Sequence, residues 1–471
     1  MKHTPFDYES LALLAAELPD SLKNLRFAGR YEEELAEIDR LLSPDTHPAF
    51  EPILRKRLEL EKILADGLSH DYGITWDGML ALFQKNYPGF EEKDLYALID
   101  SGHADYIIGN GALPGCIRFQ DDAYANLTDC CEGYLYELTH PGETFRETFS
   151  ELRHENMAYM REHGRASVRF TVEESVEPDE EHIRDGKLFR AWLPFPAVTP
   201  EQSGIELLSA NRPVTVSDHP IRTAYAEYPV KAGADNRLEI SFRYVCTAVY
   251  HDLDPAAAKR GYSKEAALYL DELPPHISFT PYFRMLAGEL TGNEQNPFLR
   301  ARKIYDYVTS HVRYSYMRDY RFMDNIPMYA AVNGRGDCGV QALLFIVLCR
   351  LAGIPARWQS GNAARPTSIG SHDWAQFYVE PWGWLPCDPS YGGGMKRAGD
   401  TEGWNWYFGN LDPHRMIACT EFQRQLEPPK TFFRLDPYDN QSGEAEYEDE
   451  RLDPSDVIRR KRIVESERLG G

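Results

Sequence analysis

An apolar helix with a glycine-rich lead-in constrains this chain more than any other feature. Residues 340–348 are apolar almost without interruption, and apolar residues on every face are typical of a helix buried inside a domain. Gly334 and Gly336 precede it and predict a tight loop. A Gly-Ile-Pro sequence then ends it. We therefore predict a central helix whose first turn holds Cys338.

Cys338 is the candidate nucleophile. The positive end of a helix, especially beside an imidazolium, lowers the pKa of a thiol, and the thiolate is the reactive form. Asp337 opposes this slightly, so we expect its carboxylate to cap the helix by accepting from backbone N–H groups rather than to face the sulfur. The alternative is one more core cysteine, but a Gly-x-Gly-Asp-Cys-Gly sequence fits a packing role poorly.

A base and its orienting carboxylate follow. Residues 371–380 alternate as a strand, which places on one face His372, Trp374, Gln376 and Tyr378, and on the other Asp373, Ala375, Phe377 and Val379. A second short strand ends at Asp388. If the strands are adjacent and antiparallel, Asp388 can accept from one ring nitrogen of His372 while the other faces the sulfur of Cys338. The alternatives are a structural histidine and an Asp-Pro turn.

Composition limits the classes of protein and partner. With 471 residues, two or three domains are expected. The net charge of −23 argues against nucleic-acid and anionic-membrane partners. The start of the sequence has no basic segment followed by an apolar run, so no secretory signal is expected. No stretch of 18 apolar residues is found, so no membrane span is expected. The eight cysteines include no C-x-x-C pair, so we expect reduced thiols and a cytoplasmic location.

Changes in hydrophobic period divide the chain. We predict a mainly helical N-terminal domain, a β-sandwich, a catalytic domain and a charged C-terminal tail, at 1–165, 166–255, 256–435 and 436–471. The tail has an acidic run at 444–450 and a basic run at 459–462, and we expect it to be mobile or to wrap the surface.

Three segments resemble the transglutaminase-like superfamily, which includes transglutaminases, peptide N-glycanases and microbial cysteine peptidases. They are the helix ending in Ala-Gly-Ile-Pro-Ala-Arg, the His-Asp-Trp-Ala-Gln strand and the Gly-Trp-Leu-Pro-Cys-Asp-Pro-Ser strand, within about 298–400. The sandwich is similar to a β-domain of bacterial members, so a bacterial origin is expected. The resemblance implies an α+β, papain-like core with the cysteine-bearing helix packed on an antiparallel sheet. It also implies roles for three residues: Cys338 as nucleophile, His372 as general base then acid, and Asp388 as orienter.

Other site residues are less well marked. The oxyanion donor that the resemblance implies has three candidates beside the backbone N–H of Cys338, namely Tyr316, Tyr329 and Asn333. Four side chains are candidates for a substrate cleft, although such aromatic residues also fit a core role: Trp374, Gln376, Trp384 and Tyr391. Arg357 and Arg365 are candidates for reading a substrate carboxylate.

These features predict an enzyme without a metal or other cofactor. No calcium loop of the Asp-x-Asp-x-Asp-Gly type and no zinc-binding cysteine set is found in the sequence. The predicted activity is thiol-dependent hydrolysis of a peptide-like amide, by a cysteine peptidase or amidohydrolase acting on a peptide or protein. The alternatives are a protein-glutamine transglutaminase and a non-catalytic scaffold. Substrate identity and oligomeric state are left open.

Overall fold

A computed structural model describes residues 8–43, 52–109, 111–143, 145, 150–434 and 438–470. Its α-helices are α1 Asp20–Phe27, α2 Tyr31–Leu42, α3 Pro52–Asp71, α4 Trp76–Asn86, α5 Glu92–Asp100, α6 Ala123–Cys130, α7 Glu132–Thr139, α8 Ser150–His163, α9 Lys264–Ala267, α10 Pro281–Thr291, α11 Pro297–His311, α12 Ile326–Asn333, α13 Cys338–Leu351, α14 Pro389–Arg397 and α15 Thr401–Trp406. Its strands are β1 Ile74–Thr75, β2 Tyr106–Ile108, β3 Ile117–Phe119, β4 Arg165–Pro178, β5 Leu188–Pro194, β6 Gln202–Ala210, β7 Thr215–Val216, β8 Thr223–Pro229, β9 Leu238–Val249, β10 Ala356–Arg365, β11 Ser368–Val379, β12 Gly383–Cys387, β13 Arg415–Cys419, β14 Glu444–Tyr447 and β15 Val457–Leu469.

The N-terminal part is mainly helical. Residues of α4 to α7 share a core with a small sheet of order β1-β3-β2, and α1 to α3 form a separate cluster. Local sequence explains individual elements: the Thr75 hydroxyl accepts from the Gly78 N–H and so caps α4. The polar run from Glu143 to His163, followed by Gly164, predicts a helix, and the structure describes it from Ser150 onward. Residues 144 and 146–149 lie outside the described part of the chain.

Two four-stranded sheets form a β-sandwich, with strand orders β14-β5-β8-β7 and β15-β4-β9-β6. Alternate residues of β4 and β9 are buried, as expected for strands with one face toward a core. Phe170 and Phe242 of one sheet share a core with Phe189 and Trp192 of the other.

The expected C-terminal tail completes this sandwich instead. β14 pairs with β5, and β15 pairs with β4 from Val457 to Leu469. The basic run lies on β15 at the edge of its sheet, where Arg462 forms an ion pair with Glu173 at 2.5 Å. The expectation of a mobile or surface-wrapping end is therefore wrong for these two segments. Most charges of β15 lie on the solvent-facing side of an edge strand, where charged residues are common. In β14, Glu446 is buried and forms an ion pair with Arg190.

The sheet of order β12-β11-β10-β13 carries the site, with α13 packed on one face. In α13 every residue except Leu351 is buried, which confirms the prediction of a central helix. The sheet also meets the sandwich, because the Ala197 N–H donates to the Ile417 carbonyl of β13 at 2.7 Å. These features confirm the expected α+β fold, with a helix-borne cysteine packed on an antiparallel sheet.

Candidate active site

The start of α13 is built to hold Cys338 in a fixed position. Asp337 is the N-cap, and its carboxylate accepts from the Val340 N–H at 3.0 Å, as predicted. Gly339 allows a close approach at the first turn: a Cβ there would lie 2.8 Å from Asp373 Oδ2 and 3.0 Å from the Trp358 ring. Cys338 itself is only 7% exposed.

The Cys338 thiol contacts Asp373 rather than His372. Its Sγ donates to Asp373 Oδ2 at 3.3 Å, and none of the hydrogen bonds between described residues joins Cys338 to His372. Successive side chains of a strand point to opposite faces, and the Asp373 face of β11 packs on α13 through Ala375 and Phe377. The predicted alignment of sulfur, imidazole and carboxylate in one line is therefore not present in this structure.

The surroundings of the sulfur favour the neutral thiol. Burial, and after it the carboxylates of Asp373 and Asp337, raise the pKa of Cys338 well above its ordinary value. The expectation of a lowered thiol pKa is thus wrong for this structure. The physical reason is that desolvation and two nearby carboxylates outweigh the positive end of the helix.

His372 and Asp388 form a buried pair on the other face of β11. His372 Nε2 lies 2.7 Å from Asp388 Oδ2, the contact that the antiparallel strands predicted. Burial lowers the pKa of His372, with Asp388 acting in the opposite direction. Burial by itself would raise the pKa of Asp388, but His372 and Arg415 reverse this and lower it. The pair is therefore suited to a neutral imidazole held by an ionised carboxylate.

Arg415 is a site residue that the sequence did not indicate. Its Nη2 lies 2.8 Å from Asp388 Oδ2 and 3.4 Å from Asp412 Oδ2. The side chain is fully buried, with its guanidinium 4.8 Å from the centre of the Trp374 ring. No motif surrounds Arg415 in the sequence, and it reaches Asp388 only because β13 and the segment after β12 meet in the folded chain.

The three oxyanion candidates have other partners. The Tyr316 hydroxyl donates to Asp129 and the Tyr329 hydroxyl to Asp105, both at 2.6 Å. Asn333 is exposed, and its amide donates to the Tyr329 carbonyl at 3.0 Å. The backbone N–H of Cys338 remains the donor that helix geometry places at the nucleophile.

Of the four cleft candidates, Tyr391 alone lines a described cavity. Trp374 is buried and donates to Gln359 at 2.8 Å. Gln376 accepts from Arg357 at 2.7 Å, and the Arg357 guanidinium stacks over Trp384 at 4.1 Å. Trp374, Gln376 and Trp384 therefore take part in internal contacts, and Arg357 is engaged with two of them.

A cavity of about 890 Å³ opens between the N-terminal helices and the core. Its walls include residues of α6 and α8 and several side chains around the histidine: Tyr314, Tyr316, Arg365, His372, Tyr391 and Arg397. The His372 and Tyr391 rings stack with centres 4.2 Å apart. Tyr314 connects the two halves of the site, since it lines the cavity and its pKa is raised by burial and then by the neighbouring Cys338. The cavity thus reaches the buried His372 ring.

Within the described ranges, no cluster of three or more His, Cys, Asp or Glu side chains is arranged to hold a metal ion. The described helices also include none with the length and apolarity needed to cross a membrane. All eight cysteines are free thiols.

Comparison with known proteins identifies the core. Residues 284–389 match the family described as the transglutaminase-like superfamily. The matched segment includes Cys338, His372 and Asp388. YebA, an uncharacterized protein of Bacillus subtilis, is 26% identical over 141 residues, which cover 26% of this chain and 18% of YebA. The match thus spans less than a fifth of that relative.

Solved structures show distant similarity. A candidate cysteine protease from Cytophaga hutchinsonii is 11% identical, with a TM-score of 0.36 over 65% of this chain and 90% of that one. The periplasmic domain of TgpA from Pseudomonas aeruginosa is 17% identical, with a TM-score of 0.25 over 49% of this chain and 98% of the other.

Proposed function

Because residues 284–389 form a transglutaminase-like core, we propose that the protein hydrolyses a peptide-like amide through a thioester on Cys338. The observation that carries this proposal is the buried His372–Asp388 pair, whose atoms are 2.7 Å apart. Cys338, at the start of α13, lies at the opposite face of the same strand, β11. A pair of this kind can take a proton from a thiol and later return it to a leaving amine.

The proposed reaction begins when the sulfur leaves Asp373 and turns toward His372. The thiol proton passes to the imidazole, and the thiolate attacks the amide carbonyl. His372 then protonates the departing amine as the carbon–nitrogen bond breaks. Water, deprotonated by His372, releases the acid from the thioester and restores the thiol. Asp388 stabilises the imidazolium in both stages, and the Cys338 N–H faces the oxyanion.

The positive charge of the cavity wall supports water, rather than a lysine amine, as the acyl acceptor. Arg365 and Arg397 line the same cavity as His372, and their charges repel an approaching ammonium group. Water has no such barrier. We include a cytoplasmic location in this proposal, since free cysteines suit a reducing compartment.

Release of free amine tests the proposal. The full-length protein is incubated with a mixed peptide library, and new amino groups are measured with an amine-reactive dye. Release that disappears in Cys338→Ala but persists in Cys116→Ser, a control at a cysteine outside the cavity, supports hydrolysis. Incorporation of a fluorescent amine into protein without net amine release contradicts it in favour of a transglutaminase.

A non-catalytic binding protein is the second candidate. The Cys338–Asp373 contact and the raised thiol pKa favour it, because an inert buried cysteine has these same features. The two candidates differ in the same assay: wild-type protein that releases no amine above the Cys338→Ala background supports the binding role.

A further inference from the structure

The cavity beside His372 has walls rich in hydrogen-bond donors. Asn156 is 1% exposed and lines the cavity; its Oδ1 accepts from Arg468, while its Nδ2 has no hydrogen-bond partner among the described residues. A buried amide nitrogen without a partner costs free energy. It therefore points to a ligand that brings an acceptor oxygen.

Two guanidinium groups line the same cavity. Arg397 donates to the Val312 carbonyl at 3.4 Å, and within the described part of the chain no carboxylate lies within ion-pair distance of it. Arg365 donates to the Tyr391 hydroxyl at 3.2 Å, and the Tyr391 ring in turn stacks on His372. The Tyr391 ring thus lies between the Arg365 guanidinium and the His372 imidazole.

The acidic side chains of the wall are already engaged. Asp129 accepts from the Tyr316 hydroxyl at 2.6 Å. Asp412 accepts from the His414 N–H at 3.0 Å and forms an ion pair with Arg415 at 3.4 Å. The cavity therefore presents cations and donors to a ligand, on a chain whose net charge is −23.

From these contacts we propose that the substrate is an acidic peptide whose carboxylates bind Arg365 and Arg397 and whose backbone carbonyl accepts from Asn156. This proposal rests on the proposed hydrolysis for its scissile amide, which lies at His372. Tyr391, which holds Arg365, and Arg397 are six residues apart on α14, or about 9 Å along the helix axis. About three residues of extended peptide span that distance.

Binding is measured by calorimetry with full-length Cys338→Ala, which does not consume the peptide. The probes are acetyl-Ala-Glu-Ala-Glu-Ala-amide and the same peptide with Gln in place of Glu. The acidic peptide is expected to bind at least about tenfold more tightly, since it replaces neutral hydrogen bonds by charge-assisted ones. Equal affinities would overturn the proposal.

Substitutions in the cavity test which residues cause the preference for the acidic peptide. Arg365→Gln and Arg397→Gln, each in the Cys338→Ala background, are expected to reduce the tenfold preference to about twofold or less, while Arg397→Lys retains most of it. Arg424→Gln is the matched control, because Arg424 is 58% exposed and lies outside the cavity. Thermal melting checks that each variant is folded. A preference that survives both Gln substitutions contradicts the assigned site.

The two proposals fail in different ways. Preferential binding of the acidic peptide without amine release by the wild-type protein supports this inference and contradicts hydrolysis. Amine release that is equally fast from the Glu and Gln peptides supports hydrolysis and contradicts the acidic substrate.

Discussion

The two faces of β11 present different chemistry within one strand. On one face, His372 and Asp388 are already hydrogen-bonded, and Arg415 neutralises the carboxylate. On the other, the Cys338 thiol donates a hydrogen bond to Asp373, and its raised pKa favours the neutral form. The proton-accepting half of the proposed site is preorganised, whereas the nucleophilic half is not. Under our proposal, turnover therefore depends on a rearrangement at the thiol rather than at the base.

The strongest test asks whether the two faces serve one reaction. We expect Cys338→Ala and His372→Ala each to lower the rate of amine release by about 10⁴-fold or more, and the double variant to be no slower than either one. The reason is that a nucleophile and its base act as a unit. Amine release from the acidic peptide measures all three. A His372→Ala variant with near-normal activity would show that the two faces do not serve one reaction.

Next in size is the effect of removing the cation at Asp388. Arg415→Met leaves a buried carboxylate without its cation, so we expect a loss of about 3–5 kcal/mol in the free energy of unfolding. Urea denaturation followed by circular dichroism measures it. Arg424→Met, at an exposed arginine whose ion pair with Glu421 is 3.9 Å long, is the control and should change stability little. A similar small change in Arg415→Met would show that the base half does not depend on Arg415.

On the thiol face, close packing at Gly339 can be disturbed directly. Gly339→Ala places a methyl group against Tyr320, Asp373 and Trp358, and we expect a loss of about 1–3 kcal/mol in stability. Gly370→Ala is the matched control, because a Cβ there meets no atom within 4 Å. The same urea titration compares them. Unchanged stability in Gly339→Ala would mean that the side chains around Gly339 can move apart at little cost in free energy.

The smallest expected effect concerns the thiol pKa. Because burial and Asp373 raise the pKa of Cys338, the thiolate is scarce at neutral pH, and iodoacetamide labelling of Cys338 should keep rising with pH up to about 10. Asp373→Asn removes one opposing charge, so labelling should begin at lower pH and be about tenfold faster at pH 8. Mass spectrometry of the Cys338 peptide measures the rate.

Asp235→Asn, at an exposed carboxylate, serves as the control for that experiment. Fast labelling of the wild-type protein at pH 5 to 6 would contradict the neutral thiol and indicate a preformed thiolate–imidazolium pair.

Sequence patterns predicted the elements of the site better than their orientation. The apolar run after Cys338 and the alternation around His372 specified α13 and β11, because both depend on local periodicity. The choice of which β11 face meets α13 is tertiary. The apolar set Ala375, Phe377 and Val379 was the available signal, since a helix that is apolar all round packs on the more apolar face; His372 lies on the opposite side.

Long-range pairing explains the other differences. The segment 457–469 is charged because it is an edge strand with one face in solvent. Its partner β4 lies almost 300 residues earlier in the chain: Glu467 accepts from Arg169, which precedes it by 298 residues. Arg415 pairs with Asp388 from a separate strand, β13, in a segment where the sequence analysis found no motif. Neither pairing has a local signature, so periodicity could not reveal them.

The order of the sandwich strands along the chain has a consequence for biosynthesis. Six of the strands, β4 to β9, are translated before the catalytic core, whereas β14 and β15, each at an edge of one of the two sheets, are translated after it. If translation stops before β14, the released polypeptide has β4 and β5 as unpaired edge strands. Unpaired edge strands promote aggregation. The sandwich can therefore be completed only after the whole core has been synthesised.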